Sequence, residues 1–227
     1  MEPDFAGKEP VENALGFIHT STPQLRTFIA EQRGLLPAAD FAGMLEQIHR
    51  LFDKYTAALS AAPAGTERGR ALHRMMDAAV ATASGVAVSC RRGCYGCCHS
   101  EVEITRDDAA VLAERVNGGL EIDQARLALQ AARPRLSPEW AKFWSQDNRC
   151  VFLNVAEGAC GIYEDRPAAC RRLIVTTPPE ACTTAGADIA PVRILLAEIL
   201  LSAALSLENG YFASLSKMLR PLLPASA

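Results

Sequence analysis

The feature that most constrains this chain is the segregation of its cysteines into two blocks, which leaves the first 89 residues without any. The first block reads Cys90-Arg-Arg-Gly-Cys94-Tyr-Gly-Cys97-Cys98-His99. The second block consists of Cys150, Cys160, Cys170 and Cys182. Thiolates are soft, anionic ligands for zinc and iron, and glycine permits the backbone turns that bring nearby ligands together. We therefore expect these eight thiols to bind a metal ion or an iron–sulfur cluster.

The overall composition is that of an ordinary globular protein of one domain, or of one domain with an appendage. The 227 residues carry 23 basic and 26 acidic side chains, so there is no basic excess to suggest nucleic-acid binding. The N-terminus lacks a basic segment followed by an apolar core, so no secretory signal is predicted and a cytoplasmic location is expected. In the cytoplasm, clustered cysteines are more often metal ligands or redox groups than structural disulfides.

The apolar run 189–207 is long enough to be considered as a membrane span. Pro191, Arg193 and Glu198 interrupt it, and charged side chains are costly at the centre of a bilayer. The run is therefore predicted to form a buried helix, or one that faces a protein partner or a second copy of the chain.

Apolar periodicity elsewhere predicts a mainly α fold with a few short strands. Helices are expected at 23–32, 38–61, 66–84, 123–132 and just after Pro167, with Thr66 as a cap. The second and third should form an antiparallel hairpin packed on a metal-stapled cysteine domain. Thr105 and Asp108 have capping-box spacing behind a strand at 101–105, which predicts a helix to about residue 116. The predicted divisions are a helical segment 1–89, a cysteine-cluster domain 90–187 and a C-terminal helical segment 188–227 on the same core.

The spacing of the thiols leaves several ligand arrangements open. Cys94 and Cys97 are separated by two residues, which suits ligation of one ion. The adjacent Cys97 and Cys98 should bind different metal ions, or one of them should be a ligand while the other bridges or supports the site. Eight thiols suffice for two four-cysteine sites, or for one cubane cluster with spare thiols. A further alternative makes Cys90 or Cys182 an ordinary buried thiol.

The cysteine spacing and the histidines allow further interpretations. The spacing of Cys90, Cys94 and Cys97 matches that by which radical S-adenosylmethionine enzymes hold a cubane, but the repeated strand–helix units of those enzymes are not predicted here. His99 follows the paired cysteines and could ligate through a ring nitrogen. His49 and His73, on predicted helices, are expected to be structural.

The cysteine blocks resemble the CxxCxxCC family, also called YkgJ-type, which is described as zinc- or iron-chelating. The resemblance rests on the first block and on Cys150-Val-Phe-Leu followed by Cys160-Gly-Ile-Tyr-Glu-Asp-Arg-Pro-Ala-Ala-Cys170-Arg. It spans residues 90 to about 182, and the first gap is three residues where the family name specifies two. The resemblance implies a zinc or iron centre. It also suggests that Tyr163, Arg166 and Arg171 hydrogen-bond the thiolates, although each could instead shape a turn or pack.

Three functions are consistent with these observations. The first is a metal-binding or redox protein that holds zinc or an iron–sulfur cluster. The second is protein lysine methylation with S-adenosylmethionine, because flagellin lysine-N-methylase is a relative that carries this kind of domain. The third is a zinc-stapled protein that docks a partner through the apolar helix 189–207.

Overall fold

The computed structural model describes residues 18–141, 145–184 and 186–224. The helices in these residues are α1 Pro23–Leu35, α2 Ala38–Ser60, α3 Thr66–Ala81, α4 Arg106–Asn117, α5 Gln124–Ala132, α6 Ala168–Arg172, α7 Leu195–Ser206 and α8 Leu215–Leu219. The strands are β1 Glu103–Ile104, β2 Leu153–Asn154, β3 Ala159–Cys160 and β4 Ala213–Ser214. Strand β1 pairs antiparallel with β4, and β2 with β3. The prediction of a mainly α fold with short strands is confirmed.

Several helices begin where local capping chemistry places them. The Thr22 side chain accepts a hydrogen bond from Leu25 N–H at the start of α1, and both halves of the capping box between Thr105 and Asp108 are formed at α4. The expected cap at Thr66 is wrong by one residue. Gly65 is the N-cap of α3, with a φ of 98°, and its N–H donates to Asp107 Oδ1 over 2.7 Å.

Helix α7 starts later than predicted, because residues 189–194 are extended rather than helical. Val192 N–H donates to the Ile174 carbonyl over 2.8 Å, and Pro191 lies opposite Val175 in an isolated bridge. Proline lacks an N–H and biases the residue before it away from the helical region, so the chain pairs as a strand until Ile194.

The core of the N-terminal half is built around α7, in which residues 197–205 are all buried. Ile199 and Ala203 pack with apolar side chains of α1 and α2, whereas Leu200 and Ala204 pack with those of α3. A helix that is apolar on every side belongs in a core. The apolar faces of this helix are covered within the chain, and docking of a partner or a second copy through it stays a prediction. In the part of the chain that the structure describes, no helix has the length and apolar character needed to cross a membrane.

The predicted helical hairpin is joined by a short turn, but its two helices make most of their contacts elsewhere. Helix α2 packs mainly on α7, and α3 packs on α4, α6 and α7. Gly69 makes the contact between α3 and α4 close, because a Cβ atom there would lie 2.5 Å from the Asp107 carbonyl oxygen. The third helix of the chain is therefore the one that rests on the cysteine-rich region, as expected for the hairpin.

A second core joins the cysteine-rich region to the end of the chain. Helices α4, α5 and α8 bury a shared apolar cluster that also contains Val151, Phe152 and Ile162. Cys150 and Cys160 pack against this cluster. Apolar packing crosses the predicted limits at residues 89 and 187, so these domain limits stay predictions. The part of the first segment before residue 18 lies outside the described residues.

Candidate metal centre

The first cysteine block folds back on itself in two consecutive turns. Cys94 N–H donates to the Arg91 carbonyl over 3.0 Å, in a turn that contains Gly93 at a φ of 87°. A 3-10 helix, Gly96–His99, then carries Cys97 and Cys98. Gly93 thus serves the tight path that the spacing of the thiols predicted.

The second block approaches the first through a hairpin and a short helix. Cys150 N–H donates to the Cys98 carbonyl over 2.7 Å, which fixes the two blocks together. Cys160 lies in β3 opposite Leu153, and Cys170 lies in the middle of α6. Three separate elements therefore bring second-block thiols to the turns of the first.

Six thiols, from both blocks, line one cavity of about 110 Å³. They are Cys94, Cys97, Cys98, Cys150, Cys160 and Cys170. All eight cysteines are free thiols, and Cys90 and Cys182 do not line this cavity. Among the described residues, no three Cys, His, Asp or Glu side chains are already gathered at the distances of a single metal ion. The thiols therefore surround a space rather than meet at a point.

The thiols of the cavity differ in their pKa values. Hydrogen bonding from Cys98, assisted by the charge of Arg166 and opposed by burial, lowers the pKa of Cys97 and of Cys160 to about 7 each. The same hydrogen bonds raise the pKa of Cys98, which is the donor. Burial raises the pKa of Cys150 to about 12. Cys97 and Cys160 thus lose a proton more readily than Cys98 and Cys150, which would release theirs on binding a metal.

Burial also raises the pKa of Cys170 well above its ordinary value, with further contributions from neighbouring thiols. A thiol of this kind is a poor nucleophile but becomes a thiolate when a metal displaces its proton. Its chemistry is consistent with a ligand and not with a reactive cysteine.

The aromatic and basic residues of the family pattern take different places. The guanidinium of Arg166 stacks on the Tyr163 ring, 3.9 Å from its centroid, and both residues line the thiol cavity. Arg171 is 7% exposed and donates to the carbonyls of Glu164 and Arg166 and to Asp77 Oδ2 on α3. Arg166 thus acts on the thiols electrostatically, whereas the hydrogen bonds of Arg171 hold the loop before α6 against α3.

Neither histidine near the site lines the cavity. The His99 ring is buried, and burial followed by the charge of Arg149 lowers its pKa. Its ring centroid lies 6.1 Å from that of Tyr95. His73 is buried on α3 and its Nε2 lies 2.7 Å from Asp108 Oδ1, in agreement with a structural role. His49 lies on the exposed side of α2 beside Asp53.

Asp108 is a positioning residue that sequence reasoning assigned only to a helix cap. Its Oδ2 accepts from Thr105 N–H and Oγ1, as a capping box predicts. Its Oδ1 accepts from His73 and from the Ala168 N–H at the start of α6, over 2.9 Å. The carboxylate therefore fixes the helix that carries Cys170. No local signal could have indicated this contact, because Ala168 lies 60 residues further along the chain.

The donor set fits a soft or borderline metal. Six sulfur atoms from several chain segments, with few oxygen ligands among them, are typical of zinc and iron sites rather than of magnesium or calcium sites. Such a metal would be held in this cavity by thiols from the set Cys94, Cys97, Cys98, Cys150, Cys160 and Cys170.

Comparison with known proteins agrees with this chemistry. Residues 89–183 match the CxxCxxCC family model, which is described as a "putative zinc- or iron-chelating domain". Neither the curated proteins nor the solved structures include a significant match. The matched segment begins before Cys90 and ends after Cys182, so it contains all eight thiols. Residues 89–183 of this chain are therefore similar to the CxxCxxCC zinc- or iron-chelating domains.

Proposed function

We propose that this protein is a thiolate metalloprotein, in which the cavity between the two cysteine blocks binds an iron–sulfur cluster. The observation that carries the proposal is that six free thiols line one cavity of about 110 Å³. Thiols arranged around one cavity contribute little to apolar packing, whereas a metal centre there would join several chain segments and contribute to folding.

The arrangement of the thiols favours a cluster over a single zinc ion. A zinc site holds four sulfur atoms at about 2.3 Å from one point, so its thiols converge. The described thiols do not converge on one point, and a cluster places several iron and sulfide atoms between its thiolates. A bound cluster would supply one-electron redox chemistry. The stacked Arg166 adds positive charge beside Cys97 and Cys160, which favours the thiolate forms and would favour the reduced state of a centre they hold.

The proposal is tested by metal, iron and sulfide analysis of protein purified without oxygen. Replacement of Cys97 or Cys170 by Ser should reduce bound metal and solubility together, because each removes one ligand of a centre that stabilises the fold. Ser100→Ala is a matched control, since Ser100 lines the same cavity without a thiol. Metal content equal to that of the unaltered protein in both cysteine variants would refute the proposal.

The two alternatives have less support. In the described residues, no strand leads through a glycine-rich loop into a helix, so the S-adenosylmethionine hypothesis stays a prediction, to be checked by ligand binding to the metal-loaded protein. The zinc-stapled docking hypothesis depended on an accessible apolar helix, and α7 is buried. If the purified protein contains stoichiometric zinc and no sulfide, the centre is a structural zinc site and not a cluster.

A further inference from the structure

The thiol cavity is also lined by residues that carry no sulfur, and Trp140 is one of them. Trp140 belongs to the 3-10 helix Pro138–Ala141, which follows α5. Its indole Nε1 is buried and has no hydrogen-bond partner among the residues that the structure describes. A buried tryptophan N–H usually has a partner, because an unpaired buried donor costs free energy. The lining of the cavity therefore includes a residue with a buried donor that lacks an acceptor.

Several contacts fix Trp140 beside the second cysteine block. The guanidinium of Arg133 lies over the indole ring, 4.7 Å from its centroid, and its Nη1 donates to Asn148 Oδ1 over 2.7 Å. Asn148 Nδ2 donates to the carbonyls of Glu139 and Trp140 over 3.0 and 3.4 Å. Asn148 is buried, lines the same cavity and stands two residues before Cys150 in the chain. The indole is thus held to the segment that carries one of the thiols.

The amide side chains of the cavity wall already use their acceptors elsewhere. Asn148 Oδ1 accepts from Arg133, and Gln130 Oε1 accepts from Ser216 Oγ over 2.9 Å. The six sulfur atoms are the largest group of acceptors that the lining has left. The sulfur of a neutral thiol is a weak acceptor, whereas an ionised acceptor forms shorter and stronger hydrogen bonds. Because thiols bind metal as thiolates, metal binding would create the acceptor that the indole lacks.

We propose that Trp140 donates its indole N–H to a cysteine sulfur of the metal centre and thereby tunes the reduction potential of that centre. This inference rests on the proposed function, because the acceptor is a metal-bound thiolate. A hydrogen bond to a thiolate offsets negative charge, so it stabilises the reduced state, which is the more negative one, and raises the potential. Trp140 is therefore a tuning residue and not a metal ligand.

The first test compares reduction potentials of the full-length, cluster-loaded protein. Trp140→Phe keeps an apolar ring and removes the N–H. The variant should retain the iron and sulfide content of the unaltered protein, and its potential should fall. A hydrogen bond to a charged acceptor is about twice as strong as one to a neutral acceptor. We expect the ratio of reduced to oxidised protein to change about tenfold, which is about 59 mV for a one-electron couple.

Tyr95→Phe is the matched control for this measurement. Tyr95 is an aromatic residue of the first cysteine block that does not line the cavity, so removal of its hydroxyl should leave the potential unchanged. An unchanged potential in Trp140→Phe, or an equal fall in both variants, would overturn the tuning role.

A second test observes the hydrogen bond itself and does not need a folded Trp140 variant. Cadmium is a soft, diamagnetic ion that thiolates bind, and its nuclear spin couples to a proton through an N–H···S–Cd contact. The chain has two tryptophans, so the nitrogen-labelled, cadmium-loaded protein gives two indole N–H signals. The Trp140 signal is the one absent from Trp140→Phe, or the one retained in Trp144→Phe. It should show coupling to cadmium and lose it on metal removal, and a Trp140 signal without coupling would overturn the inference.

Failure of this inference is distinguishable from failure of the proposed function. A chain that binds iron and sulfide, but in which Trp140→Phe keeps the potential and the Trp140 signal shows no coupling, would overturn the role of Trp140 and leave the centre in place. A chain that contains no metal as purified and binds no cadmium through its thiols would overturn both.

Discussion

The buried carboxylate of Asp108 offers the sharpest test of how the site is positioned. Asp108 is 0% exposed and accepts four hydrogen bonds, from Thr105 N–H and Oγ1, from His73 Nε2 and from Ala168 N–H. The change Asp108→Asn keeps the size of the side chain but turns one oxygen into an N–H₂ donor. Whichever way the amide is oriented, that donor faces a backbone N–H, of Thr105 or of Ala168, which cannot accept.

The expected loss follows from that contact and from the loss of the charge. A hydrogen bond to a charged group contributes about 1.5–3 kcal/mol, and the remaining bonds weaken once their acceptor is neutral. Breaking one side of a buried pair costs about 3–5 kcal/mol. We therefore expect the free energy of unfolding to fall by about 3–5 kcal/mol, a large part of the 5–15 kcal/mol typical of a domain.

Denaturant unfolding of the metal-loaded protein measures this loss. Asp123→Asn is the matched control, because Asp123 caps α5 from an exposed position and Asn caps as well as Asp. The control should change stability by less than about 0.5 kcal/mol. If Asp108→Asn unfolds within about 1 kcal/mol of the unaltered protein, the reasoning that this carboxylate joins α3, α4 and α6 is wrong.

The pH dependence of the same carboxylate gives an independent check. Burial acts to raise the pKa of Asp108, but hydrogen bonding and the charge of His73, with the N–H groups of Ala168 and Thr105, outweigh it, so the pKa is lowered. A lowered pKa stabilises the folded state above the unfolded value, which is about 3.9, and this stabilisation is lost as the pH falls through the folded value. Between those pH values the unaltered protein should lose stability more steeply than Asp108→Asn.

Three further outcomes are expected. Gly96→Ala should displace Cys182, lower the free energy of unfolding by about 1–3 kcal/mol and reduce bound metal. Gly85→Ala is the control, because nothing lies within 4 Å of its added Cβ, and it should keep its stability and its metal. Equal behaviour of the two variants would contradict the close contact. In the metal-free protein, alkylation of Cys97 and Cys160, followed by mass spectrometry, should reach half its maximal rate near pH 7, because only the thiolate reacts. Arg166→Gln should move that midpoint to higher pH, and an unchanged midpoint would show that its charge does not reach these thiols.

Local chemistry explains why much of the fold could be predicted from the sequence. The capping box at Thr105 and the proline after Thr22 act within a few residues, so both helix starts were recognisable. The few short strands expected in a mainly α fold include β2 and β3, which pair on either side of Gly158. Each of these features depends on neighbours in sequence.

Long-range contacts explain what could not be predicted. The start of α7 depends on pairing of residues 190–192 with residues 174–176, which the apolar run itself does not encode. The spacing of Cys94 and Cys97 indicated a turn, but not that Cys182 would pack on Gly96. The sequence likewise left open which thiols share a centre, because that division depends on how α6 and the following loop pass the first block.

Metal and acid-labile sulfide content, with a visible spectrum, of protein purified without oxygen tests the central claim most directly. The account predicts a brown protein with iron and sulfide bound, and with its cysteines protected from alkylation until the metal is removed. A colourless protein without iron or zinc, in which all eight thiols react at once under native conditions, would contradict it.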